Sequence, residues 1–344
     1  MKFGFIFFSG DERNKYRLVM ETAKFGDENG FSSIWTPERH FHRFGGLYPN
    51  PSVVSAALAM VTKRLQICAG SVVVPTHNVV RVAEEWSVVD NLSGGRAGLA
   101  LATGFSPIDF SFMPQNWDNR RNITFEAVET IRRLWEGEAI DVRDGVGNIS
   151  SIELHPRPIQ QELPMWLTCT KSVDTFERAG RLGCNVLTGL IDMSTEELEK
   201  KLKVYEQALE ENGHDRRNFQ VTLLLHTYIG EDDAEVRATV HDPFTRYLRS
   251  FFKVVDSQKK ALTPGESIED FSNQDQEALI SFAFDKFYSK GSLMGTPDSC
   301  SWVVERMAGI GVDEIACLID FGVDEDKVLK SLHQLKKLKD RYSD

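Results

Sequence analysis

Residues 37–46 read PERHFHRFGG, and between positions 38 and 43 they hold Glu38, Arg39, His40, His42 and Arg43. A carboxylate, two imidazoles and two guanidiniums are costly to gather unless they pair, meet a ligand or face water. Three chemistries fit those residue types. His40 and His42 have the His-x-His spacing of metal-dependent barrel hydrolases, which draw further ligands from later strand ends. Here the later strand-like runs end in Ala-Thr-Gly, Thr, Cys and Gly, so too few ligands remain and no metal is expected. A solvated loop in which Glu38 pairs with Arg39 or Arg43 is the second reading. The third is acid–base work on a bound ligand by an imidazole, whose ordinary pKa is about 6.5.

Other strand-like runs end in residues of use to a ligand. Gly70-Ser71 and His77 follow the third, Ala102-Thr103-Gly104 the fourth, Thr170-Lys171-Ser172 the fifth, Thr188-Gly189 the sixth, and Asp320 closes the last. Small residues at 102–104 let a planar ring approach the backbone. TKSVDTFERAG, residues 170–180, brings a lysine, hydroxyls and free N–H groups to a helix start, which suits a phosphate. Ser172 as a plain helix cap is the competing reading. Together these features suggest a flat, phosphorylated cofactor and do not say which one.

These residues need a frame, and the chain alternates in a way that supplies one. Apolar, β-branched runs at 2–8, 32–36, 65–74, 97–102, 164–169, 184–188, 220–229 and 313–319 read as strands. Segments with apolar residues at three- and four-residue spacing lie between them, closed by Gly30, Gly94, Gly137 and Gly213, with Thr296-Pro297 as a cap and first turn. Eight such pairs predict a single (β/α)8 barrel domain over 1–344. No glycine-rich dinucleotide fingerprint follows the first strand, which argues against an open doubly wound sheet. Longer insertions are expected at 103–122, at 138–160 as a hairpin around Gly145 and Gly147, and at 243–292 after the seventh strand, the segment read as most mobile. Where such loops follow strands they wall the mouth.

Composition excludes several classes. Of 344 residues, 51 are acidic and 40 basic, for a net charge of −11, which does not suit a nucleic-acid surface. Five scattered cysteines without metal-ligand spacing read as buried reduced thiols of a cytoplasmic protein. No run has the length of a membrane span or a secretory leader.

The stretches MKFGFIFF, GFSSIWTPERHF, GGLYPNPSVVSAALAMVTKRLQICAGSVVVPTHNVVRVAEEWSVVDNLSGGRAGLALATG and LMGTPDSCSWVVERMAGIGVDEIACLI resemble the bacterial luciferase-like flavin-dependent monooxygenases, in order and over nearly the whole chain. The PERHFHRFGG form is most similar to members associated with polyketide and non-ribosomal peptide biosynthesis. The resemblance implies a TIM barrel, reduced FMN delivered by a separate flavin reductase, or F420 as the alternative, and a homodimer. It implies a hydrophobic, possibly carrier-bound substrate that is hydroxylated or undergoes Baeyer–Villiger insertion, with an F420-dependent dehydrogenase or a non-catalytic flavin-binding subunit as rivals. It implies a non-prolyl cis peptide at Gly70-Ser71, and cofactor contacts from Ala102, Thr103, Phe105, Lys171, Ser172 and Thr175. Two departures stand out. Luciferase has paired histidines after this glutamate, and here the first is Arg39, so His40 or His77 must move any proton, oriented by Glu38 and Arg39. The phosphate-binding arginine of luciferase is Thr103 here, which leaves Lys171 as the expected cation. Phe7, Phe8, Phe105, Phe110 and Phe112 are read as candidate pocket lining, with core packing the other reading for the first two.

Overall fold

A computed structural model of the chain describes residues 1–8, 16–41, 46–191, 193–262 and 272–342, with backbone alone over 254–262. His42 and Arg43 lie outside the described residues, as does 263–271 within the expected last insertion.

Strands β1 (Lys2–Ile6), β2 (Ser33–Thr36), β3 (Gln66–Val72) and β4 (Ala97–Leu101) come first, alternating with helices α1 (Arg17–Glu28), α2 (Pro51–Val61) and α3 (Val79–Ser93). Helix α4 (Arg120–Glu136) and a small hairpin, β5 (Ile140–Arg143) with β6 (Ile149–Ile152), precede β7 (Met165–Thr168). Then follow α5 (Val173–Arg181), β8 (Asn185–Gly189), α6 (Thr195–Glu211), β9 (Val221–Ile229), α7 (Asp233–Leu262), α8 (Asn273–Lys290), β10 (Ser292–Gly295), α9 (Pro297–Gly309), β11 (Glu314–Leu318) and α10 (Glu325–Asp340). Every barrel pairing is parallel, β1-β2-β3-β4-β7-β8-β9-β11, and β11 returns to β1. This is a closed eight-stranded TIM barrel. Its strands are buried on both faces, so they carry continuous apolar runs such as Ala97–Leu101, where every residue is buried.

Three local features depart from or refine the sequence reading. Strand β10 runs beside the second half of β9, from His226 to Ile229, as a ninth strand outside the eight-strand closure. Helix α7 begins ten residues before Pro243 and passes through it. The buried Phe244, Tyr247 and Leu248 that follow keep the helix going where proline would otherwise end it. The hairpin enters between α4 and β7, so it belongs to the end of the barrel opposite the mouth.

The barrel floor holds polar groups that are paired with one another. At the floor, Glu314 is 1% exposed and accepts from Ser33 Oγ at 2.7 Å, Gln220 Nε2 at 2.8 Å and Thr222 Oγ1 at 3.0 Å, with Ser32 on the same carboxylate. Trp35 and Trp166 give their indole N–H to Ser33 and Thr222 and meet edge to face, 5.0 Å between centroids. Gly4 is needed there because a Cβ would come 2.1 Å from Ser33 Oγ and 3.1 Å from Glu314 Oε1. All five cysteines are buried and unpaired by disulfide. Burial raises their thiols, Cys184 to about 11 and Cys300 and Cys317 to about 12. Among the described residues no helix is long and apolar enough to cross a membrane.

Gly4→Ala should cost about 1–3 kcal/mol, because the new methyl displaces the Ser33 hydroxyl from Glu314. Urea denaturation of Gly4→Ala, Ser33→Ala and the double variant tests this. The double variant should lose clearly less than the sum, and strict additivity would refute the contact.

Candidate active site

The mouth is assembled from the C-terminal ends of the strands. Beyond β2 the backbone runs Pro37-Glu38-Arg39-His40-Phe41, and the Arg39 N–H is tied to the Tyr48 carbonyl at 2.8 Å. Phe41 takes a left-handed backbone, φ +62°, uncommon for an aromatic residue. Its ring lies 5.7 Å from the His40 imidazole, and Phe112 meets the same imidazole edge-on at 4.9 Å.

Glu38 is the hub. His40 Nε2 lies 2.6 Å and His77 Nε2 2.7 Å from its Oε1, while the Val73 N–H donates to Oε2 at 2.7 Å. Burial by itself would raise this carboxyl. Donation from His40 and His77, His77's charge and the Val73 N–H outweigh burial and bring the pKa to about 2. Burial would lower His77, but the Glu38 carboxylate beside it raises it. An ionised carboxylate accepts only, so both rings donate Nε2–H to it. On each ring Nδ1 is then the nitrogen turned away from Glu38.

Arg39 is held differently. Its guanidinium carbon sits 3.9 Å over the Phe8 ring and 5.6 Å from Phe105, and Nε is buried with no hydrogen-bond partner among the described residues. Burial lowers its pKa despite Tyr247, Asp109 and Asp320 nearby. Asp320 receives the Phe8 N–H on both oxygens at 3.0 Å.

Across the mouth, the peptide between Gly70 and Ser71 is cis, at a register break between β3 and β4. A Cβ on Gly70 would lie 3.2 Å from both Ile6 and Trp35, so a side chain there would press on both. Ser71 Oγ hydrogen bonds Thr168 Oγ1. Ala102 donates its N–H to Val72 O at 2.8 Å, and Thr103 beside it is half-buried. Gly104 has φ +74° and would put a Cβ 2.8 Å from Phe110 and Val73. Phe110 is thus part of the packing beneath 104, and Phe7 is core; neither lines an open pocket. Phe105 and Phe112 are half exposed at the rim.

At the start of α5, Thr175 is buried, Ser172 makes no side-chain cap bond, and Lys171 is exposed. The cation over this helix start is one that sequence reading passed over. Arg121 Nη2 lies 2.5 Å from Asp174 and 3.5 Å from both Ser172 Oγ and Thr175 Oγ1. Its only early signal was the NRRN run opening α4. The Arg121–Asp174 pair is surface-exposed, so a stronger anion can replace the aspartate at little cost. Among the described residues no three His, Cys, Asp or Glu side chains converge as metal ligands.

A closed barrel whose mouth carries a buried carboxylate–imidazole cluster, small-residue strand ends and a hydroxyl-lined helix start is an enzyme scaffold of the TIM-barrel class. The sequence matches the luciferase-like monooxygenase family over residues 1–314. The chain belongs to that family and is a flavin-dependent monooxygenase by class. It is 26% identical over 329 residues to the oxygenase component of the flavin-dependent trigonelline monooxygenase of Acinetobacter baylyi, covering 94% of this chain and 89% of that one. Its fold is similar to the FMN-bound oxygenating constituent of 3,6-diketocamphane monooxygenase from Pseudomonas putida, a type II Baeyer–Villiger enzyme, with TM-score 0.74, 19% identity and coverage of 98% and 97%. An F420-dependent secondary alcohol dehydrogenase with an F420–acetone adduct has TM-score 0.72, 17% identity and coverage of 100% and 99%.

Glu38→Gln should cost about 3 kcal/mol, because a buried acceptor of two imidazoles becomes a poorer one. The sign follows from the shifts. Glu38, depressed from 4.5, stabilises above that value and loses its contribution as pH falls toward 2. His77, raised from 6.5, contributes below 6.5 and loses its share as pH rises through its higher folded value. The stability gap to wild type should therefore be widest between those two ordinary values. Histidine-resolved NMR titration should find His77 above 6.5 in wild type and lower in the variant; an unmoved His77 would break the assignment.

Proposed function

We propose that this chain is the oxygenase of a two-component system, using FMN reduced by a separate flavin reductase and molecular oxygen to oxygenate a hydrophobic small molecule by hydroxylation or Baeyer–Villiger insertion. The observation that carries this reading is the convergence at one rim of the Glu38 cluster, the small-residue floor at Gly70-Ser71 and 102–104, and the α5 start under Arg121. A planar ring with a phosphate tail fits that donor set. Ser172, Thr175, Arg121 and the first N–H groups of α5 would hold the phosphate, with Lys171 flanking them. Gly70, Ser71, Ala102, Thr103 and Phe105 would border the ring. Reduced FMN, when bound, supplies the activation of oxygen.

The chain's own residues do the rest. Glu38 fixes the His40 tautomer, so Nδ1 takes or returns a proton at the substrate, and His77 shares the same carboxylate at the more open side. Phe41, Phe105 and Phe112 form an apolar rim that sheds water and suits a hydrophobic substrate. A homodimer is supported by the neighbouring α2 and α3, which between them expose the large apolar residues Val53, Met60, Val88 and Leu92. Light scattering should give twice the monomer mass, with Met60→Lys shifted toward monomer.

Thermal unfolding with FMN or F420 separates the cofactors, since a ligand stabilises the state it binds. FMN should raise the midpoint and F420 should not; the reverse result would make the chain an F420-dependent dehydrogenase with His40 as its acid–base group. Arg121→Ala should weaken FMN binding about tenfold. His40→Gln should leave FMN binding intact and lower turnover about 100-fold or more. With FMN, NADH and a reductase, mass analysis should find a gain of one oxygen on a substrate. Oxygen uptake with every trial compound unchanged and a separate catalytic partner co-purifying would favour a non-catalytic flavin subunit.

A further inference from the structure

We propose that Arg39 is an anion subsite of the mouth and that the compound oxygenated is an apolar carboxylic acid whose carboxylate this guanidinium receives. The inference rests on the mouth being the substrate pocket, as proposed above, and goes on to the chemical class of the substrate.

Several other guanidiniums, among them the half-buried Arg96, Arg132 and Arg216, are each met by two or more acceptors. Arg96 spends its nitrogens on the carbonyls of Ser93, Leu65, Ala59 and Thr62. Arg132 donates to Leu182 and Gly183, and Arg157 to Leu134 and Trp135. Arg216 reaches Glu206, Phe219, Gly311 and Asp313. Arg39 is the exception. Its face is taken by Phe8 and Phe105, while its Nε is buried and donates to nothing among the described residues. The adjacent carboxylate, Glu38, is committed to His40, His77 and Val73. Asp320 turns both oxygens to the Phe8 N–H.

A guanidinium stacked by its faces keeps its hydrogens in the plane at its edge, which is the fork that matches a carboxylate in two parallel hydrogen bonds. Leaving that fork unfilled in a partly dry site is unfavourable unless a ligand completes it. The charge of the ligand follows from the surroundings. Asp109 and Asp320 both act on Arg39 through space, so the field at the fork is tempered and a monoanion suits it better than a dianionic phosphate. The body of the ligand follows from its neighbours, since Phe8, Phe105 and, beyond His40, Phe112 are all aromatic. Arg39 and His40 are consecutive, so an acid held at the fork has its carbon skeleton beside the imidazole. A carboxylate also requires the acid to be free, not esterified to a carrier.

The test uses the full chain with paired probes, benzoate against benzamide and octanoate against octanamide, read by calorimetry with and without FMN. Both acids should bind wild type about tenfold tighter than their amides or better. Arg39→Met, which keeps the length and loses the charge, should abolish the preference, and Arg39→Lys should keep part of it. FMN affinity, read by flavin fluorescence, should stay within about twofold in both variants. The proposal is overturned if neither acid binds wild type, if Arg39→Met keeps the preference, or if the variants lose FMN while wild type never discriminates acid from amide. Failure of wild type to bind FMN would instead remove the flavin reading, and the acid–amide comparison would still decide Arg39. Near-UV circular dichroism of each variant separates lost binding from lost folding, and Arg39→Lys carries the comparison if Arg39→Met does not fold.

Discussion

Glu38 is a charge kept from water, and the mouth is arranged to keep it charged. Two imidazoles and a backbone N–H supply what solvent would otherwise give. Those same bonds pin two separate pieces of chain to each other: the segment after β2, and the segment after β3, where Val73 and the short turn ending at His77 follow one another. Removing the carboxylate would leave one buried and one half-buried ring without this acceptor and one N–H without a partner. Loop anchoring and ring orientation are thus linked at one atom, since Oε1 both ties the loops together and fixes which nitrogen of His40 faces outward.

Around that hub the barrel separates its work by depth. The floor carries Glu314, saturated by Ser33, Gln220 and Thr222 under two interlocked indoles. The mouth carries Asp320, only six residues later along the same strand and its exit. Between them the interior is apolar and closely filled, as barrels of eight strands are. Polar groups at the floor are fully paired with each other. At the rim some are left with capacity to spare, and that difference marks the rim as the place for a ligand.

How much of this was legible in the sequence depends on how local each feature is. The eight barrel strands were readable because burial on both faces leaves uninterrupted apolar runs. Strand β10 was not, being four residues, Ser292–Gly295, directly after a helix. The start of α7 was hidden by Pro243, whose local preference is overridden by the buried aromatic residues after it. Glu38, Arg39 and His40 announced themselves because they are neighbours in the chain. His77 was legible only as a histidine at a strand end, and its bond to Glu38 spans 39 positions. Arg121 was missed because it approaches α5 from 51 positions away and lies in the stretch 103–122, which read as a loop insertion. No periodicity encodes the stack of Arg39 on Phe8, which depends on β1 and β2 being neighbours in the sheet.

The five thiols lend the molecule a practical property. Each is enclosed in the core, and burial holds them in the protonated, unreactive form at neutral pH. The chain is therefore a nearly silent background for maleimide chemistry. A single cysteine introduced at an exposed rim position would be the one fast-labelling handle, and a fluorophore or spin label attached there could report on the entrance without first stripping the native sulfhydryls.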